Sequence, residues 1–125
     1  MLEKYTVITT IAVHDLENAV MFYSEMLGLK IESKNSEGVI FKSGGGQIAI
    51  HESAGAGTSQ TTCAWWTVRD VEATVKALKT KGINFEKNYD IPHVPRKDDI
   101  YQLSDIKRAA WFKDPDGNIL GFGNY

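Results

Sequence analysis

Residues 13–19 read Val13-His14-Asp15-Leu16-Glu17-Asn18-Ala19, and the pattern returns as Val68-Arg69-Asp70-Val71-Glu72. In each copy a β-branched run stops at an aspartate, and an amphipathic stretch follows. Asp15 and Asp70 are therefore each placed to cap a helix through the side-chain carboxylate. After the first cap, Leu16, Ala19, Val20, Tyr23, Met26 and Leu27 recur at three- and four-residue intervals, one apolar stripe that Phe22 widens. After the second cap, Val71, Val75 and Leu78 do the same, with Lys76, Lys79 and Lys81 toward the negative end of the helix. Each helix runs into a glycine, in Leu27-Gly28-Leu29 and in Lys81-Gly82-Ile83, suited to a left-handed cap. A repeat of about 55 residues in two copies is too long for a solenoid unit and predicts a pseudo-symmetric pair of modules.

Outward from the caps, the rest of each copy takes shape. Tyr5 to Val13 reads as a strand before the first helix. Leu29 to Lys34, Gly38 to Ser43 and Gln47 to Glu52 read as three strands after it, with Gly44-Gly45-Gly46 as a tight hairpin. The first module, residues 1–53, is thus βαβββ. Ser53 to Gln60 is small, polar and flexible in composition, as a linker is. The second module, residues 61–125, opens with a strand at Thr61 to Val68. It closes with Arg108 to Lys113, a turn at Asp114-Pro115-Asp116-Gly117-Asn118 and a strand at Ile119 to Tyr125. Between Asn88 and Lys107 two prolines, charges and aromatics replace a short hairpin, and a long segment of this kind is more often functional than idle. With Tyr89, His93, Arg96 and Tyr101 it suits a lid over a ligand or a dimer contact, and the sequence does not separate the two.

Composition narrows the function classes. The chain has 125 residues, 42% of them apolar, enough for one domain with a single substantial core. A formal charge of −2 gives no footprint for nucleic acid or an anionic membrane. No run approaches the ~20 apolar residues that cross a bilayer, and no secretory leader is visible, so a cytoplasmic location is expected. The single cysteine, Cys63, excludes an internal disulfide and a multi-cysteine zinc site.

The twofold βαβββ repeat, the opening Val13-His14-Asp15-Leu16-Glu17-Asn18-Ala19 with Phe22-Tyr23 and Leu27-Gly28-Leu29, and the closing Phe112-Lys113-Asp114-Pro115-Asp116-Gly117-Asn118 together resemble the glyoxalase, bleomycin-resistance and dioxygenase superfamily, also called the vicinal oxygen chelate fold. The resemblance covers essentially the whole chain. It implies an α+β fold in which two modules wrap their sheets into a cup, helices outside, with a small organic ligand inside and usually a homodimer. In metal-dependent members the ligands come from the first and last strands of the modules. Those positions land here on Ile8, Ala49, Cys63 and Gly121, which offer one thiol where an ion needs at least three donors. A bulge in the fourth strand would bring His51 or Glu52 to the place of Ala49, which supplies one ligand and not a site. No metal and no cofactor is expected, as in the metal-free bleomycin-resistance branch.

Strand alternation then names the cup lining. Thr10, Gln47, Ala49, His51, Cys63, Trp65 and Thr67 share one parity, with Trp111 near the rim and Gly121 and Gly123 leaving room. Thr9, Ile11, Val13, Ile48, Ile50, Trp66 and Val68 take the other parity, toward the helices. The expected ligand-binding set is Thr10, Gln47, His51, Cys63, Trp65, Thr67 and Trp111, a pocket for a flat or aromatic compound. Three functions follow in order: sequestration of such a ligand without metal; a metal-independent lyase or isomerase with His51 as general base; and a metal-dependent glyoxalase- or dioxygenase-like enzyme, disfavoured by the missing ligands. The lone thiol of Cys63 suits a small apolar filler better than a nucleophile.

Overall fold

The structure, a computed structural model, describes residues 1–87 and 94–125. Tyr89 and His93 of the long segment lie outside the described residues. Two mixed sheets carry the fold. The first holds β1 (Thr9–Val13), β2 (Lys30–Asn35), β3 (Gly38–Ser43) and β4 (Gly46–Glu52) in the order β1-β4-β3-β2. The second holds β5 (Thr62–Thr67), β6 (Arg96–Lys97), β7 (Ile100–Gln102), β8 (Arg108–Lys113) and β9 (Ile119–Gly123) in the order β5-β9-β8-β7-β6. In each, the strand before the helix lies parallel to the last strand of its module. The two modules are therefore the same βαβββ unit twice.

The helices start and stop as the sequence dictates. Asp15 accepts from the amide of Asn18 at 3.2 Å, and Asp70 from that of Ala73 at 3.0 Å, satisfying one orphan donor at each helix start. Gly28 and Gly82 take φ of +76° and +95° at the exits. Between these ends the helices differ. α2 (Val71–Thr80) is regular, whereas α1 (Leu16–Met21) passes into a π-helical turn, Phe22–Met26, marked by the Leu27 amide donating to the Phe22 carbonyl at 3.1 Å. The extra residue in that turn puts the consecutive Phe22 and Tyr23 both inward.

One apolar core spans both modules. Ile11, Val13, Val39, Phe41, Ile48 and Ile50 from the first sheet join Ala64, Ala110, Phe112, Leu120 and Phe122 from the second beneath the helices. This is the helix-facing parity the alternation predicts. A mostly polar or small-residue face is left on the other side of the first sheet.

The closing turn ties the modules together. Asp114 is buried and accepts from the Tyr23 hydroxyl at 2.7 Å, the Asn118 side-chain amide at 2.8 Å, and the amides of Asp116 and Asn118, each at 2.9 Å. Asn118 donates in turn to the Ala12 carbonyl at 2.8 Å and accepts from the Gly57 amide at 3.2 Å. His14 adds an exposed contact to Asp116 at 3.1 Å. A motif that reads locally as a turn is thus also a hub between β1, the π-helical turn and the linker. The linker is firmer than its composition suggests. Ala56 is buried, and Gly57, at φ +70°, lies so close to the Asp116 carbonyl that an added Cβ would sit 1.9 Å from it.

The second module departs from the first beside β8. Phe85 bridges Phe112 and the Glu86 amide donates to the Trp111 carbonyl at 2.8 Å, while β7 pairs Tyr101 with Ala109 further along the same strand. Residues 84–86 and β7 are therefore two halves of one strand beside β8. The chain leaves this strand after Glu86, forms β6 and rejoins it at Ile100.

Candidate functional site

On the first sheet, β1 and β4 pair Thr10 with Ala49 and Ala12 with His51. Thr10 is exposed, and Gln47, Ala49 and His51 are half-buried on the same open face. The Gln47 side chain donates to the Glu32 carboxylate. The His51 ring makes no hydrogen bond among the described residues, so nothing orients it as a base. The β1–β4 register is regular, and Ala49 keeps its place opposite Thr10.

On the second sheet a bulge changes the expected set. Thr62 pairs with Ile119 and Ala64 with Leu120, so Cys63 is the extra residue of β5. Thr62 takes the open-face position instead, its hydroxyl accepting from the Trp111 indole at 3.1 Å. Cys63 is half-buried against the helix-side core, and its thiol donates to the Ile119 carbonyl at 3.3 Å. Burial pushes this thiol up, and the Asp114 charge adds to the shift, which makes it a poor nucleophile. The face assignment of Cys63 is thus corrected by one inserted residue that alternation alone does not reveal.

Beyond the bulge the parity is restored. Trp65 lies opposite Gly121, which lies opposite Trp111, and Thr67 lies opposite Gly123. The glycines do not leave the room expected of them. A Cβ on Gly121 would stand 2.7 Å from the Trp111 ring and 3.2 Å from that of Trp65; one on Gly123 would stand 2.7 Å from Trp65 and from the Arg108 carbonyl. The absent side chains are replaced by indoles lying across β9. Trp65 and Trp111 meet at 5.9 Å between centroids, Tyr101 meets Trp111 edge-on at 5.3 Å, and Tyr125 meets Trp65 at 5.2 Å.

Exposure separates these rings. Trp111 keeps 6% of its surface in contact with solvent, whereas Trp65 keeps 36% and Tyr125 41%. Trp111 supports the cluster from below, and Trp65 with Tyr125 presents it. Tyr125 was not among the residues expected from the sequence. The Tyr125 backbone oxygen accepts from the Trp65 indole at 3.3 Å and from the Thr67 hydroxyl at 3.0 Å, fixing the outer edge of the cluster. No hydrogen bond or ring contact among these residues joins the first-sheet set to the second-sheet set.

The donor set can be tested against a metal ion. Among the described residues no group of three or more His, Cys, Asp or Glu side chains is arranged to hold one. Gly121, one of the four positions at which the resemblance implied a ligand, has no donor side chain and is covered by two indoles. These residues do not fit the ion. No helix among the described residues is long and apolar enough to cross a membrane.

Comparison with known proteins agrees with this architecture. Residues 6–122 match the family model described as Glyoxalase/Bleomycin resistance protein/Dioxygenase superfamily. No curated protein matches the sequence. Among solved structures, the chain is similar to a glyoxalase family protein from Enterococcus faecalis, with a TM-score of 0.72 at 20% identity over 98% of this chain and 99% of that one. It is also similar to a glyoxalase/bleomycin resistance protein/dioxygenase from Alicyclobacillus acidocaldarius, with a TM-score of 0.71 at 22% identity over 95% and 89%. A third similar structure is TnmS3, an antibiotic binding protein from Streptomyces sp. CB03234, with a TM-score of 0.67 at 20% identity over 94% of each chain.

Proposed function

The chain belongs to the glyoxalase/bleomycin resistance protein/dioxygenase superfamily, and from that premise we propose that it binds a flat or aromatic organic molecule, without a metal ion, on the open sheet face centred on Trp65. The observation that carries this reading is the indole cluster over Gly121 and Gly123. Two tryptophans occupy the space that side chains at Gly121 and Gly123 would take, and one of them keeps a third of its surface exposed beside Tyr125. An aromatic ring stacked there adds about 0.5–1.5 kcal/mol to the burial of apolar surface. Thr67, and from the first sheet Thr10, Gln47 and His51, supply hydrogen-bonding groups for the ligand's edge. No hydrogen bond or ring contact among the described residues joins the named side chains of the two open faces, and we propose that a second copy in a cytoplasmic homodimer lays its first-module face over this platform to close the cup.

Binding rather than turnover is favoured because the groups that catalysis needs are not in working order. His51 has no orienting partner among the described residues, and the Cys63 thiol is raised and turned toward the core. The test is a tryptophan-fluorescence screen of aromatic metabolites and antibiotics, with hits repeated on Trp65→Ala and His51→Ala. Quenching that disappears in Trp65→Ala supports the platform. Turnover of a hit that disappears in His51→Ala overturns the assignment to binding.

A further inference from the structure

We propose that the cleft between α2 and the chain inserted before β7 is a second small-molecule site, which takes an anion with an apolar body: a carboxylate or phosphate on an aliphatic or aromatic skeleton. Among the described residues, the cleft has 95–99 before β7 as one wall and α2 as the other. It measures about 790 Å³, within the ~300–1,000 Å³ of small-molecule pockets. It is separate from the indole platform. Ile100 and Gln102 line the cleft, while Tyr101 between them packs against Trp111.

The cleft's charge opposes that of the chain. Lys76, Lys79, Arg96, Lys97 and Arg108 line it against Glu72, Asp98 and Asp99, a local excess of two positive charges in a protein whose formal charge is −2. Pairing inside the cleft is selective. Arg108 meets Glu72 at 2.5 Å, and Lys79 meets Asp99 at 2.8 Å, with Lys87 a further 4.0 Å from the same carboxylate. Asp99 is only 4% exposed. It holds α2 and the hairpin together through Lys79, so it is committed to structure. Lys76, Arg96 and Lys97 have no carboxylate within 4.0 Å among the described residues, and the Arg96 guanidinium is steadied by the Asp98 carbonyl. Among the described residues these three exposed cations stand along the cleft without a paired carboxylate, and low-dielectric walls focus such a field on a bound anion.

The floor supplies the apolar half of the recognition. Val75 is buried, Ile100 is half-buried, and the lysine stems along α2 extend that surface. An inorganic anion alone would leave this floor unused.

The probe is anilinonaphthalene sulfonate, an anion on an apolar ring system, titrated by fluorescence against the full chain. Saturable binding at one equivalent is expected in the wild type. Lys76→Glu/Lys97→Glu, at two exposed positions, should weaken it at least about tenfold, and the neutral Lys76→Gln/Lys97→Gln should fall between. Lys30→Glu/Lys34→Glu on β2 carries the same charge change away from the cleft and should alter affinity less than about twofold. Displacement of the dye by benzoate or by phenyl phosphate supports the site and names the preferred head group. Unchanged affinity in both cleft variants, an equal loss in the β2 variant, or displacement by neither competitor overturns the proposal. Dye binding abolished by Trp65→Ala also overturns it, by placing the dye on the indole platform.

Discussion

Replacing Gly121 by alanine tests whether the indoles lie where the site requires them. The added Cβ would be 2.7 Å from Cδ1 and Nε1 of Trp111, where ordinary contact is 3.4–4 Å. One ring or the other has to move. Trp65 is 3.2 Å away and partly exposed, so it tilts outward at modest cost. Trp111 is hemmed in by Tyr101 and tied to the Thr62 hydroxyl at 3.1 Å. Overpacking of this kind costs about 1–3 kcal/mol, and a weakened indole hydrogen bond adds about 0.5–1.5 kcal/mol. The expected destabilisation is therefore about 1.5–4.5 kcal/mol, or roughly 5–22 °C in Tm for a chain of this size. Urea and thermal unfolding measure it, with near-UV circular dichroism reporting the displaced indoles. Gly45→Ala is the control, since nothing lies within 4 Å of its added Cβ and its φ is not positive. A change within about 0.5 kcal/mol for Gly121→Ala, the range of ordinary surface substitutions, would refute the packing on which the platform rests.

Two other consequences are open to direct measurement. Tyr23→Phe removes a donor from the buried Asp114 carboxylate, a charge-assisted bond worth about 1.5–3 kcal/mol, read by urea unfolding at neutral pH. Burial, with the Asp114 charge second, holds the Tyr23 phenol far above its ordinary value of 10.0, so its contribution is complete below about pH 10 and is lost as pH rises above it. Wild-type stability should then fall in strong alkali by up to about 1.4 kcal/mol per pH unit more than that of Tyr23→Phe, and parallel curves would contradict the assignment. Protein purified without chelators should carry no stoichiometric divalent ion, and Gly121→Glu should not create a site for one, because indoles fill that space. One equivalent of zinc, nickel, manganese or iron by elemental analysis would overturn the metal-free reading.

The parts of the fold that were legible are those where local chemistry and global packing agree. Asp15 and Asp70 cap helices because a short carboxylate before an amphipathic run has few other uses, and the alternation of Ile48 and Ile50 with Gln47, Ala49 and His51 survives because only one face of β4 is packed. What escaped the sequence depends on contacts between distant segments. A single inserted residue at Cys63 is silent in a pattern of period two, yet it turns the thiol to the core and Thr62 to the open face. Gly121 and Gly123 looked like vacated space, because a glycine does not declare whether ligand or neighbouring side chain fills the gap. Of the ring cluster, Trp65 and Trp111 were singled out from the sequence and Tyr125 was missed, because its place comes from its backbone oxygen meeting Trp65 and Thr67. The strand split by the insertion was hidden as well, since its halves, Phe85-Glu86 and Ile100 to Gln102, are each too short to show a period.

The most direct test is an equilibrium titration of the aromatic compound that quenches tryptophan fluorescence best, against wild type and Trp65→Ala. The exposed 36% of Trp65, taken on about 150–250 Å² of indole at about 25 cal/mol/Å², contributes about 1–2 kcal/mol, and stacking about 0.5–1.5 kcal/mol more. The predicted result is an affinity lower by roughly 10- to 300-fold in Trp65→Ala, with the fold intact by circular dichroism. Equal affinity in the two proteins would contradict the claim that this face, and Trp65 at its centre, is where the molecule binds.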